Sequence, residues 1–177
     1  MTGKKRDYYY EALGWQDDAG NLMTAIKVCT EGIEHGADDV LRYGPEKVML
    51  YSLRSTFFAF TGNFDAAIGD LDSVIDICTR NTKSALCDLA RHYAYRGSLH
   101  FRKGAYHEAI ADYTQAIDLE PSKYPVRYFE RSRARYLCED SSGAIHDLEQ
   151  VLELVDEHHN DAIEAREIIT KIEQGTW

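Results

Sequence analysis

The chain has 177 residues, 44% of them apolar and 28% charged, which is enough to bury a sizeable core within a single domain. Thirty acidic residues against 20 Lys and Arg leave a formal charge of −10, which argues against a nucleic-acid backbone or an anionic membrane as main partner, since both demand clustered positive charge. The basic start MTGKKRDYYY leads into no apolar stretch of signal-peptide length and no run of about eighteen apolar residues follows, so a soluble, cytoplasmic protein is expected.

From about residue 6 to 37, Tyr9, Ala12, Leu13, Leu22, Ala25, Ile26, Cys29 and Ile33 fall at three- and four-residue steps on either side of Gly20. That period predicts two amphipathic helices joined by a turn. Residues 45–79 repeat the offsets with Tyr51, Arg54, Ser55, Gly62, Phe64, Ala67, Ile68, Asp70, Leu71, Val74 and Ile75. Residues 84–122 do so again with Tyr93, Arg96, Gly97, Gly104, Tyr106, Ala109, Ile110, Asp112, Tyr113, Ala116 and Ile117. In residues 124–157 the series is Tyr128, Arg131, Ser132, Ala144, Ile145, Asp147, Leu148, Val151 and Leu152, with Glu139 and Ser141 replacing the loop glycine and aromatic. Last, residues 160–174 start at a plausible Asn160 cap and carry Ile163, Ile168, Ile169 and Ile172 among charges, which suits a solvated helix closing the apolar end of a stack. Gly62 and Gly104 suit turns with unusual backbone angles. No segment alternates apolar and polar residues over a strand length.

Tyr93, Arg96-Gly97, Ala109, Tyr113 and Pro121 together resemble the tetratricopeptide repeat (TPR) family, in its RG-type form with Arg before the Gly. The resemblance covers about residues 6 to 158. It implies an all-α, right-handed α-solenoid of about four helical hairpins plus a capping helix, residues 1–177 forming a single domain. Measured against the family's 34-residue unit, the steps of 42 from Ala25 to Ala67 and from Ala67 to Ala109 leave eight extra residues in each of the first two connections. In the first, Gly44-Pro45 predicts a break with Pro45 opening the next helix. In the second, Ser84 is placed to cap a helix extended backwards by about two turns.

Charges recur with the repeats. Arg54 and Asp70, Arg96 and Asp112, and Arg131 and Asp147 each stand sixteen residues apart, while Ala12 and Val28 hold those places in the first unit. Joint presence and joint absence point to a structural ion pair, because either charge alone against apolar neighbours would lose solvation without gaining a partner. His100 falls where Phe58 and Arg135 stand elsewhere, and His107-Glu108 reads as a helix start. Cys29, Cys78, Cys87 and Cys138 have no CxxC spacing and are expected as reduced, packed thiols. His158-His159 and the cysteines offer no four-ligand metal pattern, and no phosphate loop or nucleophile elbow occurs, so the expectation is no metal, no cofactor, no catalytic residue and no enzyme.

The resemblance further implies that the first helices of the hairpins line a concave groove that binds a protein or peptide. Carried onto this chain, the groove residues are Tyr10, Leu53, Phe60, Arg91, Tyr95, Ser98, Phe101, Arg102, Phe129, Arg133 and Tyr136. Arg91, Arg102 and Arg133 would favour a partner with acidic groups, and arginine beside aromatic rings is a common interface anchor. Chaperone-binding members hold a C-terminal carboxylate with Lys and Asn at fixed inward places. Here those places read Tyr10, Ser52, Ala94, Phe129 and Gly14, Thr56, Ser98, Arg133, without a Lys or Asn, which disfavours a standard chaperone adaptor. Two other readings stay open: a self-assembling structural scaffold, and a dedicated inhibitor or immunity-type protein for one basic target.

Overall fold

A computed structural model of the chain describes residues 11–12, 19–35, 40–80 and 88–177. Tyr10, Ser84 and Cys87 lie outside them. The described residues form helices and turns without strands. Residues 11–12 are helical, and eight further helices follow: α1 (Ala19–His35), α2 (Val40–Phe60), α3 (Phe64–Arg80), α4 (Leu89–Lys103), α5 (Tyr106–Leu119), α6 (Pro125–Leu137), α7 (Ser141–Leu154) and α8 (Asn160–Glu173). None is long and apolar enough to cross a membrane. The chain divides into two compact units, Met1–Leu89 and Ala90–Trp177.

Within the first unit α2 packs on α1 and on α3. Ala25 and Cys29 are sealed against Phe57, while Val48 packs with Val74 and Cys78. In the second unit α6 packs on α5 and α7, and α7 on α8. Its main core joins Tyr128 and Phe129 to Ala144, Leu148 and Val151, and α8 closes that core with Ala165, Ile168 and Ile172. Ala67, Ala109, Ala116 and Ala144, all fully enclosed, sit where the repeat puts small residues between helices.

Three of the turns share one geometry. Asn63 N–H donates to Phe58 O at 2.9 Å, Ala105 N–H to His100 O at 2.9 Å, and Asp140 N–H to Arg135 O at 2.9 Å, each bond spanning five residues past a helix end. Such a bond needs a left-handed residue just before the donor. Gly62 (φ 78°) and Gly104 (φ 83°) supply it, and in the last turn Glu139 does so at φ 62°. The loop glycine has been lost from this turn without any change in its hydrogen bonds.

The charged pairs are bidentate. Arg54 Nε and Nη2 donate to Asp70 Oδ2 and Oδ1 at 2.8 and 2.6 Å. Arg96 holds Asp112 at 2.8 and 2.6 Å, and Arg131 holds Asp147 at 3.0 and 2.7 Å. Each guanidinium also lies over the tyrosine three residues before it: Arg54 over Tyr51 (5.5 Å), Arg96 over Tyr93 (5.4 Å), Arg131 over Tyr128 (5.6 Å). A third reach ties one hairpin to the one before. Arg54 Nη1 donates to Thr30 Oγ1 (2.8 Å) and Arg131 Nη1 to Thr114 Oγ1 (3.0 Å), while those hydroxyls donate to Ile26 O and Ile110 O. Asp147, fully buried, accepts a second arginine, Arg135, at 2.9 Å. Hydrogen bonding to Asp70 holds the Arg54 guanidinium above its already high pKa.

Four expectations are corrected. α2 runs from Val40 straight through Gly44-Pro45 instead of starting at Pro45; proline's fixed φ is compatible with a helix, though at the sixth helical position it forfeits the bond to the carbonyl four residues back and crowds that carbonyl. α4 begins at Leu89 with Asp88 outside it, so no helix runs back continuously from there toward Ser84. The cap of α8 is His159, whose Nδ1 accepts from Asp161 N–H at 3.2 Å, and Asn160 is already helical. Finally, Cys78 is disulfide-bonded, whereas Cys29 and Cys138 are free thiols.

Candidate functional site

The second unit carries a cleft of about 400 Å³ where α4, α5 and α6 face one another. From α4 it takes Ala94, Ser98, Phe101 and Arg102, residues that repeat every three or four positions and therefore share one helix face. From α6 it takes Val126, Arg127, Glu130 and Arg133 by the same spacing, and from α5 the ring of Tyr113. Pro125 at the first helical position, after the extended Tyr124, fixes where that face of α6 begins.

The polar groups divide into those already committed and those presented outward. Arg127, buried, donates from Nη1 to Ala116 O (2.9 Å) and from Nη2 to Glu120 Oε2 (3.0 Å), with its guanidinium over Tyr124 at 4.3 Å. It closes the end of α5 and is structural. Ser98 Oγ donates to Tyr95 O at 2.7 Å. Arg133 is exposed; its guanidinium lies over the Phe101 ring at 5.0 Å, and its contact with Glu130 is long, 3.4 Å. Contact with the Phe101 face holds the cation in place, and its exposure leaves donors available to a carboxylate. Arg102 is exposed beside it.

Tyr113 differs from the rest. It is 2% exposed and its hydroxyl has no hydrogen-bond partner among the described residues. An unsatisfied buried hydroxyl costs about 1–3 kcal/mol. Burial pushes its phenol well above the usual tyrosine range, Glu130 pushes it further and Arg133 draws it back. Glu130 and Arg133, the two charged side chains concerned, line the same cleft as Tyr113.

Of the groove residues expected from the sequence, Ser98, Phe101, Arg102 and Arg133 come together in this cleft. Tyr95 is half-buried and Arg91 exposed on α4 without lining it. Phe129 belongs to the core, 9% exposed and clustered with Leu148 and Ala165, although it stands three residues after Val126 and four before Arg133. Tyr136 is covered by Trp177: the rings are 4.4 Å apart and Tyr136 Oη donates to the Trp177 carbonyl. Leu53 is half-buried beside the core of the first unit, and Phe60, at the end of α2, is 74% exposed. Tyr113, Val126 and Arg127 escaped sequence reasoning. The available signal was Tyr113 itself, a phenol at the offset where Leu71 and Leu148 serve in neighbouring hairpins.

No group of three or more His, Cys, Asp or Glu among the described residues is arranged to hold a metal ion. The geometry defines a helical-repeat protein with an aromatic-backed arginine cleft. Residues 90–123 match the model described as Tetratricopeptide repeat, so the chain carries a repeat of that family. Over 151 residues it is 30% identical to the human mitochondrial import receptor subunit TOM70, covering 85% of this chain and 23% of that protein, so the chain spans about a quarter of the length of this relative. The second TPR domain of human RPAP3, solved in complex with an HSP70 peptide, superposes with a TM-score of 0.58 at 26% identity, covering 73% of this chain and 98% of that domain. A tetratricopeptide repeat protein from Parabacteroides merdae gives 0.73 at 18% identity, covering 96% and 62%, a likeness of fold.

Proposed function

We propose that the chain is a non-enzymatic binding module that captures an acidic protein or peptide segment in the cleft of its second unit. The observation that carries this is Arg133 laid on Phe101, a preoriented cation at the rim of an apolar-backed cleft whose arginines outnumber its one carboxylate. In a protein of charge −10, such local reversal of sign selects an anionic ligand and steers it to one place. Similarity to the RPAP3 domain, whose solved complex holds an HSP70 peptide, supports peptide recognition as the mode. Rigid hairpins preorganise the cleft, so the ordering cost on binding falls mainly on the peptide.

An array of random heptapeptides probed with the intact chain and with Arg102→Glu/Arg133→Glu tests this. Peptides with Asp or Glu beside an apolar residue are expected to be retained by the parent and weakened at least tenfold by the variant. Equal retention by both proteins, or no retained peptide, would overturn the reading.

A further inference from the structure

We propose that the Tyr113 hydroxyl is a hydrogen-bond donor for the ligand, and that the acceptor it takes is a side-chain carboxylate of the bound peptide. This rests on the peptide-binding reading and sharpens it. Three observations carry it. Tyr113 lines the cleft while being 2% exposed, and its hydroxyl has no partner among the described residues. Buried hydroxyls are nearly always satisfied, so an orphan in a cleft marks a place where a ligand atom completes the bonding. At the same offset the other hairpins use Leu71 and Leu148, both fully buried, so packing at this position does not require a phenol.

The chemistry of the acceptor follows from what surrounds it. Arg133, stacked on Phe101, presents donors at the rim, and its one polar contact among the described residues is the long one to Glu130. A ligand carboxylate can replace Glu130 as the partner of Arg133 and set its second oxygen on the Tyr113 hydroxyl. One neutral donor at depth and one charged donor at the rim match the two oxygens of a single carboxylate. Glu130 and Arg133, which line the same cleft, are long side chains 34% and 49% exposed, so both can move to admit a ligand.

The test uses two blocked peptides, acetyl-Ala-Glu-Glu-Ala-amide and acetyl-Ala-Gln-Gln-Ala-amide, titrated into the intact chain and into Tyr113→Phe and followed by NMR. For the Glu peptide Kd is expected to be about tenfold weaker in Tyr113→Phe, while the melting temperature stays equal or rises because an orphan hydroxyl has been removed. In parent protein carrying ¹³C at the tyrosine Cζ, the Tyr113 resonance should move with the Glu peptide and much less with the Gln peptide. An unchanged Kd, a stationary Tyr113 resonance, or no binding of the Glu peptide to the parent would overturn the inference. Equal Kd with array selection intact removes only the role of Tyr113; loss of array selection removes the peptide reading itself.

Discussion

Gly97 and Tyr113 meet across the α4–α5 hairpin so closely that a Cβ at position 97 would stand 3.2 Å from Cδ1 and Cε1 of the ring and 3.2 Å from Cβ of Asp112. The other two braced hairpins resolve the same contact differently. Ser55 faces the Leu71 offset and Ser132 the Leu148 offset, both serines fully buried with hydroxyls donated back to Ser52 O and Phe129 O. The larger ring is therefore matched with the smaller partner. Gly97→Ala adds helix propensity, about 1 kcal/mol, but overpacks the contact at about 1–3 kcal/mol, and a net loss near 1 kcal/mol is expected. In a Tyr113→Leu background the same change should become neutral or stabilising. Urea unfolding of the four proteins measures the coupling, and an identical effect in both backgrounds would disprove it.

The Arg–Asp braces make a second prediction. Removing Arg131 strands Asp147 in the core and should cost about 3–5 kcal/mol, less whatever Arg135 recovers as the remaining partner. Removing both members is a different matter. Burial pushes the Asp70 carboxyl up despite Arg54, so desolvation is a large part of the energetics of that pair. Ala12 and Val28 already hold the equivalent places in the first hairpin, both buried. Arg54→Ala/Asp70→Val should therefore lie closer to the parent in stability than Arg54→Ala alone. Chemical denaturation decides it; a double variant worse than the single would show that the pair contributes more than its desolvation costs.

Glu139 stands at φ 62°, where Gly62 and Gly104 stand in the equivalent turns. A left-handed non-glycine residue costs about 1–2 kcal/mol. Glu139→Gly relieves that strain but adds unfolded-state entropy, so a net gain of about 0.5–1 kcal/mol is expected, with Gly104→Ala losing a similar amount. Thermal melts of both variants check the sign.

Much of this was legible because it is periodic. Hairpin offsets, the sixteen-residue brace and the left-handed turns repeat often enough that one degenerate copy, as at Glu139, does not hide the pattern. What escaped was not periodic. Phe129 and Arg133 lie four residues apart on one side of α6, yet Phe129 is under α7 and α8 in the core while Arg133 is exposed, a difference set by which neighbours cover each residue and not by the spacing. The Trp177 cover on Tyr136 joins residues 41 apart with no counterpart elsewhere. The Tyr113 hydroxyl, a single polar atom on a ring whose area is needed for packing, is invisible to any count of apolar residues.

Cys29 predicts an alkaline limit to stability. Burial pushes its thiol up to about 12, against a weaker lowering by Arg54. The native state thus keeps a proton that the unfolded chain releases near pH 9, so stability is intact below that pH and falls as pH rises from 9 toward 12. The slope is at most about 1.4 kcal/mol per pH unit for this one group. Cys29→Ala should flatten the profile in that window. In the folded parent at pH 8, a thiol reagent should modify Cys138, which is partly exposed, well ahead of Cys29.

Two phenylalanines that look alike in the sequence should separate function from stability. Phe129 is 9% exposed and packs with Tyr128, Leu148 and Ala165, so truncation to Ala leaves a cavity in the main core of the second unit. A cost of about 3–5 kcal/mol is expected. Phe101 is only half-buried, packed beside the Ala109–Tyr113–Ala134 cluster, and it carries the Arg133 guanidinium on its face. Phe101→Ala should cost roughly 1–2 kcal/mol of stability, since only part of its area leaves a packed environment. It also frees Arg133 to explore other rotamers, and ordering it again on binding costs about 0.5–1.5 kcal/mol. Peptides retained on the heptapeptide array should then bind about tenfold more weakly to Phe101→Ala at temperatures where both proteins are folded. If Phe129→Ala, still folded in the cold, loses more affinity than Phe101→Ala, recognition depends on the α6–α7 face and not on the cleft between α4 and α6.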